Sequence, residues 1–146
     1  MKIIIYTDGG SRGNPGIAGI GVVYKNEKGE TIKKYSHLLG DKLTNNEAEY
    51  GAVIFALKKF KALFGKEKAK ITEIEFRCDS ELLVKQLSGE YKVIDEKIQK
   101  LFFGVWNLKI NFKNVSFKTI SREKNMEADA LANEAMDGQT RKQTLL

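Results

Sequence analysis

The chain has 146 residues, 42% apolar and 30% charged, with 25 lysines and arginines against 19 acids and a net charge of +6. That length suits a single domain burying about 70% of its unfolded surface, and no apolar run approaches the ~18 residues of a membrane span. One cysteine, Cys78, and one histidine, His37, exclude an intrachain disulfide, an HExxH site and zinc-finger spacing. The start MKIIIYTDGG carries neither a full apolar core nor a small-residue cleavage site, so a reduced, cytoplasmic protein is expected. The basic balance permits a polyanionic partner without identifying one.

In chain order, Ile3-Ile4-Ile5-Tyr6-Thr7 is a β-forming run ended by Asp8-Gly9. A glycine-rich loop from Gly9 to Gly16 follows and holds the lone proline, Pro15. Strands are predicted at residues 17–24 and 31–39, joined by the turn Asn26-Glu27-Lys28-Gly29; with the first strand they make an antiparallel meander. Thr44-Asn45-Asn46-Glu47 has the capping-box pattern. It opens a helix with apolar Ala48, Ala52, Phe55, Ala56, Phe60 and Leu63, stopped at Gly65. A fourth strand is predicted at 71–78, a short helix from Ser80 to Leu87, a helix from Asp95 to Leu108 and a fifth strand at 115–120. Asn125 caps a last helix that stops near Gly138. This divides the chain into a domain over 1–138 and a loosely held tail over 139–146. A meander followed by helical crossovers implies an α/β fold, a mixed sheet flanked by helices.

Four acids stand out by position. Asp8 and Asp79 end strands, where open α/β sheets hold their sites; Glu49 and Asp129 lie near helix starts. Brought together, they would repel one another unless some stayed protonated. A hard divalent cation, magnesium or manganese, removes that cost through oxygen ligands. Two such ions about 3.5–4 Å apart can activate a water and stabilise the leaving oxygen of a phosphodiester. Each acid also has an ordinary structural job: Asp8-Gly9 as a turn, Asp79 as a cap, Asp129 as a partner of the helix dipole. Glu47 competes with Glu49, but the capping box already uses it. The joint placement carries the metal reading, not any single acid.

Other features point to packing or solvation. No GK[ST] follows the glycine-rich loop, which excludes a P-loop. Cys78 alternates with core positions, as buried thiols usually do. The lysines between Lys58 and Lys70 read as a solvated helix face. Phe102, Phe103 and Trp106 read as core at helical spacing.

Four motifs together resemble type 1 ribonuclease H: Tyr6-Thr7-Asp8-Gly9-Gly10-Ser11 with Gly13-Asn14-Pro15-Gly16; Thr44-Asn45-Asn46-Glu47-Ala48-Glu49; Cys78-Asp79-Ser80; and Glu127-Ala128-Asp129-Ala130-Leu131-Ala132. The resemblance covers nearly the whole chain in order and spacing. It implies a five-stranded ribonuclease H-like sheet and an endonuclease cutting the RNA strand of RNA–DNA hybrids. Two magnesium or manganese ions would serve it, leaving 3′-hydroxyl and 5′-phosphate ends. Carried over, Asp8, Glu49, Asp79 and Asp129 are the catalytic acids and metal ligands, Asp8 bridging both ions. Asn45 and Asn46 match contacts to the hybrid's minor groove. Asn14 and the backbone of Ser11-Arg12-Gly13 match contacts to the RNA strand, where 2′-hydroxyls and groove shape distinguish RNA without reading bases. Thr44 and Lys42 resemble a DNA-phosphate pocket, Tyr91 an aromatic against a DNA sugar, and Ser80 and Arg122 further substrate contacts.

Two departures stand out. The loop Ser121-Arg122-Glu123-Lys124-Asn125 lacks the histidine that many members carry, and Arg122 is the candidate to take part of its role. The stretch after Leu87 is too short for the basic handle of some bacterial members, so affinity would rest on groove contacts and dispersed lysines. Besides a hybrid-specific monomeric enzyme without protein partner or membrane, a relaxed ribonuclease that also cuts double-stranded RNA and a silent hybrid-binding module stay open.

Overall fold

The run of β-branched residues at 3–5 becomes the first half of β1 (Lys2–Arg12), the central strand of the sheet. The computed structural model describes residues 1–145, with side-chain surroundings for 1–138. β2 (Gly16–Lys25) pairs antiparallel with β1 from Ile4↔Lys25 to Arg12↔Ile17, and β3 (Thr31–Leu43) pairs antiparallel with β2. After α1 (Asn45–Lys70), β4 (Glu73–Cys78) returns parallel to β1 on its other side. Then come α2 (Glu81–Leu87), α3 (Glu96–Lys109) and β5 (Asn114–Thr119), which pairs parallel with β4. A 3-10 turn at Arg122–Asn125 leads into α4 (Met126–Leu145). The sheet order β3-β2-β1-β4-β5 is the predicted mixed sheet, and helices cover both faces.

Strand alternation sorts the two faces. Ile5, Ile20, Val22 and Tyr24 enter the core with Ala52, Val53, Ala56, Leu57 and Phe60 of α1. Gly19 and Gly21, which alternate with them on β2, lie against α4, where a Cβ on Gly21 would collide with the Ala128 carbonyl. Phe60 is fully buried, its ring 4.8 Å from that of Phe64 and 5.4 Å from that of Phe112. Emptying such a site costs about 3–5 kcal/mol. Tyr24 closes the same core with a 2.7 Å hydrogen bond from its hydroxyl to the Ala56 carbonyl. The α1 start is the predicted capping box: Glu47 N donates to Thr44 Oγ1, and Thr44 N to Glu47 Oε1, both at 3.1 Å.

Several element ends differ from expectation, each for a local reason. β1 does not stop at Asp8; β2 pairs with it through Arg12, so only Gly13, Asn14 and Pro15 turn the hairpin. β3 runs on to Leu43. The helix opened at Asn45 does stop at Gly65, whose φ of 86° leaves helical geometry; beyond this kink a second short helical stretch, counted with α1, runs on to Lys70. Ser80, not Asp79, caps α2, its side chain accepting from Leu83 N at 3.2 Å. Asn125 ends the 3-10 turn, and its amide is committed elsewhere. α4 passes Gly138 and continues to Leu145. On α3, Ile98 and Val105 are buried and Phe102 packs on the core, but Phe103 and Trp106, expected inside, are 61% and 54% exposed. A helix against a single neighbouring layer buries one stripe, and these two rings lie off it. Among the described residues, no helix is long and apolar enough to cross a membrane.

Candidate active site

β1 and β4 are paired in register as far as Tyr6↔Arg77. Two residues further along each strand stand Asp8 and Asp79, so the parallel pairing delivers both carboxylates to one level where the strands part. Glu49 arrives from α1. Gly9 makes this approach possible, because any side chain there would meet the Ala48 carbonyl, and its own N–H donates to Glu49 Oε1 at 3.3 Å. Carboxylate oxygens of Asp8, Glu49 and Asp79 all lie within 4.8 Å of one another. Asp129 comes from the other face. Gly21 is the residue paired with Asp8, and Ala128 packs directly on Gly21. The close approach of α4 at that point carries the next residue, Asp129, to the same cleft.

The cleft has a volume of about 560 Å³ and is lined by the four acids with Gly9, Asn45, Ile120, Ser121 and Arg122. Its electrostatics are those of crowded, poorly hydrated anions. Burial, then the charge of Asp79 and the neighbouring Asp129 carboxyl, push the Asp8 carboxyl up to about 7. Burial and the charges of Asp8 and Asp79 hold Glu49 well above the ordinary carboxylate range. Asp79 is raised by burial as well, an effect partly offset by the Arg122 guanidinium. Glu49 Oε2 is buried with no hydrogen-bond partner. Converging oxygens, raised proton affinity and an orphaned carboxylate atom are the features of a site suited to a hard divalent cation. The converging donor set is all oxygen; the Cys78 thiol is buried and pushed up to about 12.

The expected substrate residues fall into groups. Ser11, Asn14 and Asn45 interlock: Ser11 N and Oγ donate to Asn45 Oδ1 at 2.8 and 3.3 Å, and Asn45 N donates to Asn14 Oδ1 at 2.9 Å. This ties the hairpin turn holding Gly13 to the start of α1. Beside the acidic cleft, a second cleft of about 700 Å³ runs between Asn14, Thr44, Asn45 and Asn46 on one side and Asp95 to Ile98 on the other. Arg122 lines the acidic cleft. The remainder have local partners. Arg12 is bonded at 2.9 Å to Asn133 and to Asp137 of α4. Lys42, with a left-handed φ of 57°, donates its N–H to Asp41. Ser80 caps α2, and Tyr91 carries the Lys85 ammonium 5.1 Å above its ring. None of these four lines either cleft. The sequence reading missed Gly9 as a close-packing position and Asn125 as a buried tie to β1. The signal for Asn125 was its place four residues before Asp129.

A family model described as reverse transcriptase-like matches residues 6–135. The ribonuclease H of Ruthia magnifica is 40% identical over 149 residues, covering 93% of this chain and 96% of that protein. The bifunctional protein Rv2228c of Mycobacterium tuberculosis is 38% identical over 94% of this chain, which spans only 36% of its length. Among solved structures, LC11-RNase H1 in complex with an RNA/DNA hybrid is 46% identical, with a TM-score of 0.88 over 94% of this chain and 99% of that one. With its sheet order, its acids on β1, on α1, just past β4 and on α4, and this likeness over nearly its full length, the chain belongs to the type 1 ribonuclease H family.

Proposed function

We propose that this chain hydrolyses the RNA strand of RNA–DNA hybrids with the help of two divalent ions, magnesium or manganese, leaving 3′-hydroxyl and 5′-phosphate ends. The observation that carries the reading is the meeting of Asp8, Glu49 and Asp79, from three different elements, within 4.8 Å. Bound divalent cations supply an activated water and charge neutralisation at the phosphate. The chain's own part is to hold the ligands. Asp8, Glu49 and Asp79 would hold the ions, with Asp129, which lines the same cleft, as a further ligand. The protons that raised carboxylates retain would be given up on metal binding. Asn14, Asn45 and Asn46 line the neighbouring cleft, where a hybrid's backbone and minor groove can lie beside the acids. Contacts to 2′-hydroxyls there select the RNA strand without base readout. The hybrid-bound state of LC11-RNase H1 supports this substrate class.

The test is a panel of labelled RNA–DNA hybrid, duplex DNA, duplex RNA and single-stranded RNA, incubated with Mg²⁺, Mn²⁺ or EDTA. Cleavage of the hybrid's RNA strand, only with metal, is expected. Equal cutting of duplex RNA establishes the relaxed enzyme, hybrid binding without cleavage establishes the silent module, and cutting in EDTA removes the metal mechanism.

A further inference from the structure

Asn125 is a polar residue only 1% exposed, and the capping role expected for it is not the one it plays. Its Nδ2 donates at 2.9 Å to the carbonyl of Thr7, the residue directly before Asp8. β4 is paired with β1 only as far as Tyr6↔Arg77, so the Thr7 carbonyl lies one residue past the last paired position. The Asn125 amide bonds that carbonyl at the place where the strands separate to open the acidic cleft. Its Oδ1, in contrast, is buried without a partner. A buried amide half unsatisfied costs free energy that an apolar residue of the same shape avoids. The donor is therefore the part of the side chain that the site uses.

Position on the helix says what for. Asn125 ends the 3-10 turn directly ahead of α4 and stands four residues, about one helical turn, before Asp129. The tie to Thr7 and the carboxylate that must meet Asp8 thus come from the entry and the first turn of one helix. The 3-10 turn that ends at Asn125 also begins with Arg122, which lines the cleft. We infer that Asn125 is a positioning residue: by pinning the start of α4 to the Thr7 carbonyl it sets Asp129 against Asp8 and so fixes the geometry of the cation site. This rests on the metal-dependent reading proposed above.

The experiment compares wild type, Asn125→Ala and the shape-matched Asn125→Leu. Mn²⁺ binding to the protein without substrate is followed by paramagnetic broadening of backbone amide signals at Asp8 and Gly9, alongside KM and kcat on hybrid. Loss of an outer tie to a ligand typically weakens a metal about 10–100-fold. The Mn²⁺ midpoint should therefore rise at least about tenfold in both variants, while KM for hybrid stays within about twofold and kcat falls at fixed metal. In an Asp129→Asn background, Asn125→Ala should add nothing further to the midpoint, because both changes act through one group. An unchanged midpoint, or independent multiplication in that background, overturns the inference. Loss of the folded spectrum in both variants assigns a structural role and overturns it too. If wild type shows neither broadening near Asp8 nor metal-dependent cleavage, the functional reading fails and takes this inference with it. If wild type shows both and the variants match it, the inference alone fails.

Discussion

Asp8→Asn should make the metal-free protein more stable at neutral pH while destroying its activity. In the metal-free fold the Asp8 carboxyl is raised from 3.8 to about 7, first by burial and then by Asp79 and Asp129. The folded chain therefore holds this proton more tightly than the unfolded chain. Its stabilising effect is fully present below about pH 4, is lost progressively between about pH 4 and 7, and is absent above that. At about 1.4 kcal/mol per pH unit, the interval corresponds to about 4 kcal/mol. Asparagine keeps the shape of the protonated acid and never ionises. Wild type and variant should match near pH 4 and diverge above it. By pH 8 in EDTA the variant should gain up to about 4 kcal/mol, or about 10 °C in Tm for a chain of this size. Mg²⁺ should narrow the gap, because it stabilises only the protein whose acids bind it. Thermal melts of both proteins from pH 4 to 8.5, with EDTA and with Mg²⁺, measure this directly. A variant no more stable than wild type at pH 8 in EDTA, or a gap that does not change with pH, would refute the electrostatic account of the site.

Glu49→Gln should abolish hybrid cleavage, whereas Glu47→Gln should keep it and lower stability by only about 0.3–1 kcal/mol, because glutamine still completes the capping box and only the charge near the helix N-terminus is lost; full activity in the first beside a dead second reverses the choice of acid. Arg122→Ala should cut turnover about tenfold, since removing a charged donor beside a reacting phosphate commonly costs that or more. The acid limb of its pH profile should move to higher pH, because Asp79 loses the cation that offsets its burial; an unchanged turnover and profile exclude a catalytic part for this loop.

The four acids were visible as residues because each sits at a recognisable punctuation mark: a strand followed by Asp-Gly, a capping box, a strand end before a helix, an early helical turn. Local sequence carries such marks because they depend on backbone chemistry within a few residues. Gly65 and Gly138 show the limit. Both read as helix stops; the first does break the helix, with a second stretch beyond it, but α4 runs through the second, since a glycine in a helix costs only about 1 kcal/mol. Phe103 and Trp106 show another limit. Helical spacing marks a stripe, but which stripe is covered depends on where the neighbouring layer lies. Nor do the motifs around Arg12 and Tyr91 show which side chains lie beside them in the fold, Asn133 and Asp137 for the first and Lys85 for the second.

Pattern alone settled the order of strands and helices, the mixed sheet and the residue types at the site, because propensity, capping and apolar period act over short stretches of chain. Distance was settled only in three dimensions. The parallel register of β1 and β4 levels Asp8 with Asp79, the bare backbone of Gly9 admits Glu49, and Gly21 lets α4 press close enough to bring Asp129 to the same cleft. The raised proton affinity of Asp8 and Glu49, and with it the case for a divalent cation, arises from burial and mutual repulsion. Those forces exist only once residues far apart in the chain share one poorly hydrated space.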